Sequence, residues 1–320
     1  MPRHDPITIC FAAPDEDGLA VMLQRRRNVL VLTHPRLDGE ALRCAAAECE
    51  ILVTRAVQTV DRAVFEAASG RLRAIVQASA GIDNIDLEAA RVHAVRVIQP
   101  DPGNATAVAE WTLLHMLALV RGVRRHWEGE TWDWGGRETL PDGQLSGLRL
   151  GIVGLGRCGS RVARRACRFE MTVSAFDPYI PVETFALHGA QPARSLETLL
   201  SGSDVLTLHC PLTAETQGMI GAAELACLPR GSLLLNAARG GLVDEEALMQ
   251  SLDSGWIAGC AVDVWEREPR PRAGLATHPR VLATPHLAGH TATSHRARRE
   301  NLLAALEGLL DEYGTGKGTE

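Results

Sequence analysis

The sequence predicts an α/β protein with two doubly wound domains, each built on a parallel sheet. The chain has 320 residues, more than the roughly 250–300 at which single hydrophobic cores stop growing, so two domains are expected. Short β-branched runs alternate with helical patterns in two series, at 7–98 and from 149 onward. Such alternation is typical of βαβ units, whose strands lie parallel in one sheet.

The first series predicts five strands with helices between them. Its helical segments include 38–47 and 60–69. The strands are predicted at 7–12, 29–33, 51–54, 73–77 and 95–98. A long helix follows over about 104–126, and it opens at Asn104, a favourable N-cap residue.

The segment after that helix, WEGETWDWGGRETLPDGQ (127–144), breaks the alternation. Its three tryptophans stand in a stretch rich in glycine and acidic residues. Either this loop folds over its own aromatic side chains, or it is an arm that packs on a partner subunit, because tryptophan is favoured at interfaces.

The second series predicts six strands and a final helix at about 292–312. The strands are predicted at 149–154, 172–177, 204–210, 232–237, 257–264 and 280–285. The second domain is therefore inserted between the body of the first domain and a C-terminal helix that packs back on it. We expect the first domain at 1–102, completed by 287–320, and the inserted domain at 103–286.

Composition and charge exclude several functional classes. The net charge is −6, whereas nucleic-acid binding requires a basic domain. The most apolar helical stretch, WTLLHMLALVRG, is shorter than the about 20 residues that span a bilayer, so no membrane association is expected. The N-terminus lacks the apolar core of a signal peptide. The eight cysteines form no CxxC pair, which argues against a disulfide framework or a zinc site and favours the cytoplasm.

A glycine-rich turn indicates a dinucleotide site. In LGIVGLGRCGSRVARRA, Gly154, Gly156 and Gly159 follow a predicted strand and open a predicted helix. Asp177 ends the next strand, 18 residues after Gly159, as in the Rossmann arrangement. There the first glycine makes the turn, the second lets the pyrophosphate approach, the third packs helix against strand, and the acid binds the ribose hydroxyls. The alternative, a glycine-rich turn without a ligand, is disfavoured by the acidic residue.

Four predicted strands end in polar residues, which places a candidate catalytic centre at the carboxyl edge of the sheet. The segments are HCPLTAETQGMI (209–220), NAARGG (236–241), AVDVWEREP (261–269) and TPHLAGHT (284–291). Arg239 stands at one of these ends, and the two glycines after it leave room for a ligand. Its guanidinium suits a carboxylate. Alternatively, Arg239 pairs with Asp244 and has only a structural role.

His286, after LATP, is the candidate proton donor and acceptor, because imidazole titrates near neutral pH. A nearby carboxylate would orient the ring and raise its pKa. Glu268 in WEREP is the best candidate for that carboxylate. His209 and His290 compete with His286 for the role.

Together these motifs resemble those of the D-isomer-specific 2-hydroxyacid dehydrogenase family, and the resemblance covers nearly the whole chain. The motifs that carry it are SAGIDNID (79–86), NATAVAEWTLLHMLALVR (104–121), GLGRCG (154–159), HCPLTAETQGMI, NAARGGLVDEEAL (236–248), AVDVWEREP and TPHLAG (284–289). The family implies a Rossmann NAD-binding domain inserted into a flavodoxin-like substrate domain. It also implies a homodimer formed through the cofactor domains, with Trp132 and Trp134 at the interface.

Carried over by position, the resemblance implies a role for each candidate residue. Arg239 binds the substrate carboxylate and polarises the C2 oxygen, while His286, supported by Glu268, exchanges a proton as hydride moves between C2 and NAD. Asp263 resembles the acid near the nicotinamide amide. The residues expected to bind NAD are Gly154, Gly156, Arg157, Cys158, Gly159, Asp177, His209, Pro211, Thr216, Ala237 and Asp263. NAD is expected to be preferred over NADP, because Asp177 would repel a 2′-phosphate.

The substrate-binding residues implied by the resemblance also include the backbone at Ala80 and Gly81 and the segment ILVTRAV (51–57). That segment supplies Arg55 as its only cation, whereas a phosphate usually needs more positive charge. Alternatively, Arg55 points to solvent. We also expect no added regulatory domain, because the chain ends soon after its last helix. The expected substrate is a small 2-keto acid of the glyoxylate, hydroxypyruvate or pyruvate type, reduced to the D-2-hydroxy acid.

Two other functions stay open at this point. A redox-sensing regulator could bind NAD on the same scaffold without turnover, since fold does not imply function. A related dehydrogenase could act on an oxyanion that is not a carboxylate.

Overall fold

The chain forms two α/β units. The computed structural model describes residues 6–15, 18–124 and 143–314. Met1–Asn104 with Thr291–Glu320 make up unit 1, and Ala105–His290 make up unit 2. The assignment of 1–102 with 287–320 to a substrate-binding domain, and of 103–286 to an NAD-binding domain, stays a prediction in its boundaries.

Unit 1 contains a five-stranded parallel sheet. Its strands are β1 (Ile7–Phe11), β2 (Val29–Thr33), β3 (Ile51–Thr54), β4 (Ala74–Gln77) and β5 (Arg96–Ile98). Its helices are α1 (Leu19–Leu23), α2 (Gly39–Glu48), α3 (Arg62–Ala67), α4 (Leu87–Val92) and the C-terminal helix Ala292–Gly314. The strand order is β2-β1-β3-β4-β5, which is the flavodoxin-like order.

The sheet of unit 1 is buried on both faces, which explains why its strands are continuous apolar runs. Successive side chains of a strand point to opposite faces. Ile9 accordingly belongs to the core on one face and Cys10 to the core on the other. The C-terminal helix contributes Leu302 and Leu306 to the same core as Ile9, so it packs on this sheet, as the sequence predicts.

Unit 2 contains a seven-stranded parallel sheet. Its strands are β6 (Arg149–Val153), β7 (Thr172–Phe176), β8 (Gln191–Pro192), β9 (Val205–Leu208), β10 (Ser232–Asn236), β11 (Ile257–Val262) and β12 (Val281–Ala283). Its helices are α5 (Ala105–Val120), α6 (Arg157–Arg168), α7 (Val182–Leu187), α8 (Leu196–Ser201), α9 (Ala222–Cys227) and α10 (Glu245–Asp253). The strand order β12-β11-β10-β9-β6-β7-β8 is the Rossmann order with β12 added at one edge. The predicted fold class is confirmed.

Two predicted helices are shorter in the structure. Helix α3 spans Arg62–Ala67 rather than 60–69, because the Asp61 carboxylate accepts the N–H of Val64 and caps the first turn. Helix α5 ends at Val120 rather than near 126, because Gly122 has a left-handed φ of 57° at which a right-handed helix stops.

One strand of unit 2 is not predicted from the sequence, and one segment discussed above lies outside the described residues. Strand β8 is absent from the prediction, since it has only two residues and ends in a proline, which an edge strand tolerates. The tryptophan-rich segment lies outside the described residues, apart from 143–144.

Candidate active site

The glycine turn between β6 and α6 is shaped to accept a phosphate group. A Cβ at Gly154 would lie 2.7 Å from the Cys210 nitrogen, and a Cβ at Gly159 would lie 2.1 Å from the Gly154 carbonyl oxygen. Neither position therefore has room for a side chain. At Gly156, by contrast, the Cβ position meets nothing within 4 Å beyond its chain neighbours. This open backbone leads into α6, whose first N–H groups lack helical partners, so the turn fits the pyrophosphate of NAD.

Asp177 follows β7 and directs its carboxylate toward the glycine turn. One oxygen accepts the N–H of Leu155 (2.9 Å), and the other accepts the N–H of Tyr179 (3.1 Å). The Tyr179 hydroxyl donates to Glu215. This bond raises the pKa of Tyr179, and the charges of Glu215 and Asp177 act in the same direction. Two carboxylates thus flank Tyr179 next to the position predicted for the ribose of NAD.

The loop after β9 is closed by Thr216. Its hydroxyl donates to the Pro211 carbonyl (2.7 Å) and accepts the N–H of Thr213 (2.8 Å). His209 stands at the start of this loop, and burial lowers the pKa of its ring to about 4. His209 is therefore neutral at pH 7, which weakens its claim against His286 as a proton donor.

Arg239 follows β10 in a turn that Asn236 stabilises. The Asn236 side-chain amide donates to the Arg239 carbonyl (2.9 Å), and its oxygen accepts the N–H of Ala238 (3.1 Å). A guanidinium N–H of Arg239 donates to the Ala238 carbonyl (2.8 Å). Asp244, the alternative partner that the sequence suggests for Arg239, caps α10 by accepting two N–H groups of that helix.

Glu268 and His286 are brought together by hydrogen bonding. His286 Nδ1 lies 2.8 Å from Glu268 Oε2, and the N–H of Trp265 donates to the other carboxylate oxygen (3.2 Å). The His286 side chain is 47% exposed, so a ligand can reach it.

The electrostatics of this pair favour an imidazolium beside an ionised carboxylate. The hydrogen bond to Glu268 raises the pKa of His286, against the opposing effects of burial and of the Arg239 charge. Burial raises the pKa of Glu268. The hydrogen bond and the charge of His286, together with the Trp265 N–H and the charge of Arg239, outweigh this effect and hold the pKa below its usual value. The pair can therefore store a proton on the ring and pass it to a ligand oxygen.

Asp263 is 1% exposed and holds the loop that carries His286. Its carboxylate accepts the N–H groups of Leu287 and Ala288, each 2.8 Å away, and its carbonyl accepts the N–H of His286 (2.7 Å). These bonds hold His286 at a φ of 55°, which is uncommon for residues other than glycine. The role beside the nicotinamide that the resemblance implies for Asp263 stays a prediction.

Three residues stabilise this site although the sequence predicts no role for them. The Thr284 hydroxyl donates to Asp263 (2.5 Å), and the indole N–H of Trp111 donates to Thr284 (3.2 Å). The third is Asn236, for which a signal existed, because an amide is the last residue of an otherwise apolar strand. Trp111 belongs to α5, and no local pattern links it to β12.

In unit 1, an amide network joins the two loops that are predicted to bind substrate. Gln77, the last residue of β4, accepts the Thr54 hydroxyl (2.7 Å) and donates to the Gly81 carbonyl (3.1 Å) and to Asn84 (2.8 Å). Asn84 in turn donates to the Arg55 carbonyl (3.1 Å). The backbone at 80–81 is therefore tied to the loop after β3.

Arg55 lines a small cavity at the carboxyl ends of β1, β3 and β4. Phe11, Asp15, Val53 and Ala78 also line this cavity. The role of Arg55 in substrate binding stays a prediction.

The remaining candidate residues lie at element ends. Arg157 and Cys158 form the first turn of α6, Ala237 follows β10, and Ala80 follows β4. Across the ranges that the structure describes, no group of three or more His, Cys, Asp or Glu side chains could hold a metal ion. Within those same ranges, no helix is both long enough and apolar enough to cross a membrane.

Comparison with known families identifies the NAD-binding part of the chain. Residues 113–288 match the family described as D-isomer specific 2-hydroxyacid dehydrogenase, NAD binding domain. This range contains the glycine turn, Asp177, and the side chains of Arg239, Glu268 and His286. The presence of an NAD-binding domain in this part of the chain is therefore confirmed, and its bounds at 103–286 stay a prediction.

Several curated relatives, from bacteria, archaea and a plant, share the name D-3-phosphoglycerate dehydrogenase. Over 243 residues the chain is 38% identical to D-3-phosphoglycerate dehydrogenase of Bacillus subtilis, which covers 76% of this chain and 46% of that protein. The chain spans about half the length of the curated relatives it matches.

Solved structures resemble the chain over nearly its full length. A glyoxylate reductase from Paecilomyes thermophila is 26% identical, with a TM-score of 0.84 over 98% of this chain and 97% of that chain. A D-lactate dehydrogenase from Aquifex aeolicus, solved with NAD and lactic acid, is 26% identical, with a TM-score of 0.82 over 95% of each chain.

Proposed function

Because the chain belongs to the D-isomer specific 2-hydroxyacid dehydrogenase family, we propose that it is an NAD-dependent oxidoreductase that interconverts a small 2-keto acid and its D-2-hydroxy acid. The observation that carries the proposal is the 2.8 Å contact between His286 and Glu268. It lies in the unit that holds the glycine turn, and the charge of Arg239 acts on both members of the pair. A protein that only senses NAD needs no such accessible proton donor.

The side chains divide the work of the reaction. Bound NADH supplies the hydride that reduces C2 of the keto acid. Arg239 binds the substrate carboxylate and polarises the C2 oxygen. As the electron pair of the C–O π bond moves to that oxygen, His286 Nε2 donates its proton to it, while Glu268 keeps the ring oriented through Nδ1. In the oxidation direction, neutral His286 takes the hydroxyl proton.

Glu268→Gln should move the pH dependence of both directions to lower pH. The ionised carboxylate raises the pKa of His286, and an amide cannot stabilise the imidazolium in the same way. Reduction needs the protonated ring, so the kcat/KM of reduction should begin to fall at a lower pH than in the wild type. Oxidation needs the neutral ring, so its rise with pH should also occur earlier.

Initial rates in both directions across about pH 5–10 test this shift. Glu266→Gln, an exposed acid two residues away, is the matched control and should leave both limbs in place. If the pH profiles of kcat/KM coincide in the wild type and in Glu268→Gln, they would argue against a proton relay through this pair.

The proposed substrate is a small 2-keto acid of the glyoxylate, hydroxypyruvate or pyruvate type. Arg55 is the one cation of the segment ILVTRAV (51–57), and a phosphate usually needs more positive charge. The loops that carry Arg55 and residues 80–81 are the proposed substrate contacts of unit 1, which the Gln77–Asn84 bond supports.

A panel of keto acids with NADH tests the proposed function. At least one of glyoxylate, hydroxypyruvate and pyruvate should be reduced with a higher kcat/KM than 3-phosphohydroxypyruvate. A strong preference for the phosphorylated acid would overturn the substrate class. If no keto acid oxidises NADH while NADH still binds, the regulatory alternative takes the place of an enzyme.

Asp177→Ser should reduce the preference for NADH over NADPH by about tenfold or more, equivalent to about 1.4 kcal/mol. The substitution removes the charge that would face a 2′-phosphate. Fluorescence titrations with both dinucleotides measure the change without requiring turnover. Glu215→Gln removes the second carboxylate near Tyr179 and should act in the same direction. An unaltered ratio of the two dissociation constants in Asp177→Ser would contradict this assignment.

We also propose a homodimer formed through the NAD-binding units, as the family resemblance implies. Trp132 and Trp134 lie outside the described residues. Leu114 of α5 is 62% exposed, an apolar side chain that an interface would cover. Light scattering should give about twice the monomer mass of 34.5 kDa, and a monomer at working concentration would refute the dimer.

The proposed location is the reducing cytoplasm. All eight cysteines are free thiols, which supports this location because disulfides persist in oxidising compartments.

A further inference from the structure

Two carboxylates are buried among the residues that the structure describes, Asp263 and Glu245. A buried carboxylate is costly unless it is hydrogen-bonded, so each requires a structural reason. Asp263 holds the His286 loop by the hydrogen bonds given above. Glu245, which is 6% exposed, begins α10, and its Oε1 accepts the N–H of Glu266 at 2.8 Å.

Glu245 is not needed to cap its own helix. The side chain of Asp244 is the N-cap of α10, and it accepts the N–H groups of Glu246 and Ala247. The carboxylate of Glu245 instead reaches the segment that leads to Glu268.

The peptide between Trp265 and Glu266 also packs closely against Gly240, on a second side. A Cβ at Gly240 would lie 2.0 Å from the Trp265 carbonyl carbon and 2.4 Å from the Glu266 nitrogen. The glycine after Arg239 therefore admits this peptide. Residues 239–245 thus carry the candidate carboxylate-binding arginine and also hold the segment before Glu268.

The peptide between Trp265 and Glu266 is linked to the Glu268–His286 pair by a hydrogen bond. The N–H of Trp265 donates to Glu268 Oε1 (3.2 Å), and Glu268 Oε2 lies 2.8 Å from His286 Nδ1. A shift of the 265–266 peptide would move both the donor to Glu268 and the start of the Glu268 segment. Hydrogen bonds weaken steeply with such misalignment.

We propose that Glu245 is a positioning residue. It holds the Trp265–Glu268 segment so that the Glu268 carboxylate stays within hydrogen-bonding distance of His286. This inference rests on the proposed function of the Glu268–His286 pair. Glu245 touches no reacting atom and acts through Glu268.

Several charged side chains surround the Glu268–His286 pair. The charges of Glu268, Asp263 and Arg239 act on the pKa of His286. Glu245 and Glu268 line one surface cavity, and the other charged residues that line it are Glu266, Arg267, Arg270 and Arg272. Arg272 pairs with Glu246, the exposed neighbour of Glu245 on α10.

The test is the pKa of His286, measured by NMR titration of histidine-labelled full-length protein without substrate. The His286→Asn variant identifies the signal. In Glu245→Ala the pKa should fall toward the ordinary value of about 6.5, as in Glu268→Gln. Glu245→Gln keeps an acceptor oxygen and should stay close to the wild type. Glu246→Ala, which alters the adjacent exposed acid, should also stay there.

A second variant approaches the same peptide from its other side. Gly240→Ala should displace the 265–266 peptide and lower the same pKa, so the proposal remains testable if Glu245→Ala does not fold. Adding Glu245→Ala to Glu268→Gln should then lower the His286 pKa no further, because coupled residues are not additive.

The outcomes separate this inference from the proposed function. A His286 pKa that falls in Glu268→Gln but is unchanged in Glu245→Ala, or in Gly240→Ala if Glu245→Ala does not fold, overturns the positioning role alone. A pKa that is unchanged in Glu268→Gln contradicts the pair itself and with it both statements.

Discussion

Replacing His286 by asparagine should lower kcat for keto-acid reduction by about 10²–10⁴-fold, the usual contribution of a positioned proton donor. Asparagine keeps a polar side chain near Glu268 but cannot deliver a proton at neutral pH. The KM for NADH should change little, because the glycine turn and Asp177 lie at other strand ends.

His290→Asn is the matched control for this prediction. His290 is exposed and lies four residues further along the same loop region, and it is the competitor that the sequence leaves open. Its substitution should leave kcat within about twofold of the wild type, as expected for a surface change away from the reacting atoms. A near-normal kcat in His286→Asn, or the larger loss in His290→Asn, would reassign the proton donor.

Replacing Arg239 by lysine should lower kcat/KM for the keto acid by about 10²–10³-fold. A positioned donor to the oxygen that gains negative charge typically contributes about 10²–10³-fold in rate, and lysine cannot contact that oxygen and the carboxylate together. Lysine keeps the positive charge but has no planar fork for a carboxylate. The effect should therefore persist although the net charge is unchanged.

Arg230 offers the control for this substitution. It is exposed and precedes β10, whereas Arg239 follows the same strand. Arg230→Lys should leave kcat/KM near the wild-type value. If Arg239→Lys also retains full activity, the substrate carboxylate is bound by other groups.

The parts of the fold that depend on local pattern could be predicted from the sequence. Continuous apolar runs predict strands buried on both faces, and their alternation with helices predicts parallel sheets. The glycine turn with Asp177 is also local enough to be recognised. The pairing of Glu268 with His286, 18 residues apart, follows from both standing at the carboxyl ends of neighbouring strands.

Other features depend on contacts that no local pattern records. Two consecutive hydrogen bonds, from Trp111 to Thr284 and from Thr284 to Asp263, join a helix to strand ends far along the sequence. Glu245 is one of two consecutive glutamates, and only the fold shows that it is buried while its neighbour is exposed. Even Gly240, which the sequence suggests as space for a ligand, is used to admit the Trp265–Glu266 peptide.

The central claim is that hydride reaches C2 of a 2-keto acid while His286 protonates the oxygen, giving the D-isomer. The most direct test uses NADH that carries deuterium at both C4 positions and the better of hydroxypyruvate and pyruvate as substrate, followed by mass spectrometry and chiral analysis of the product. The account predicts a D-2-hydroxy acid with one deuterium at C2. A product of L configuration, or NADH oxidation without deuterium at C2, would contradict it.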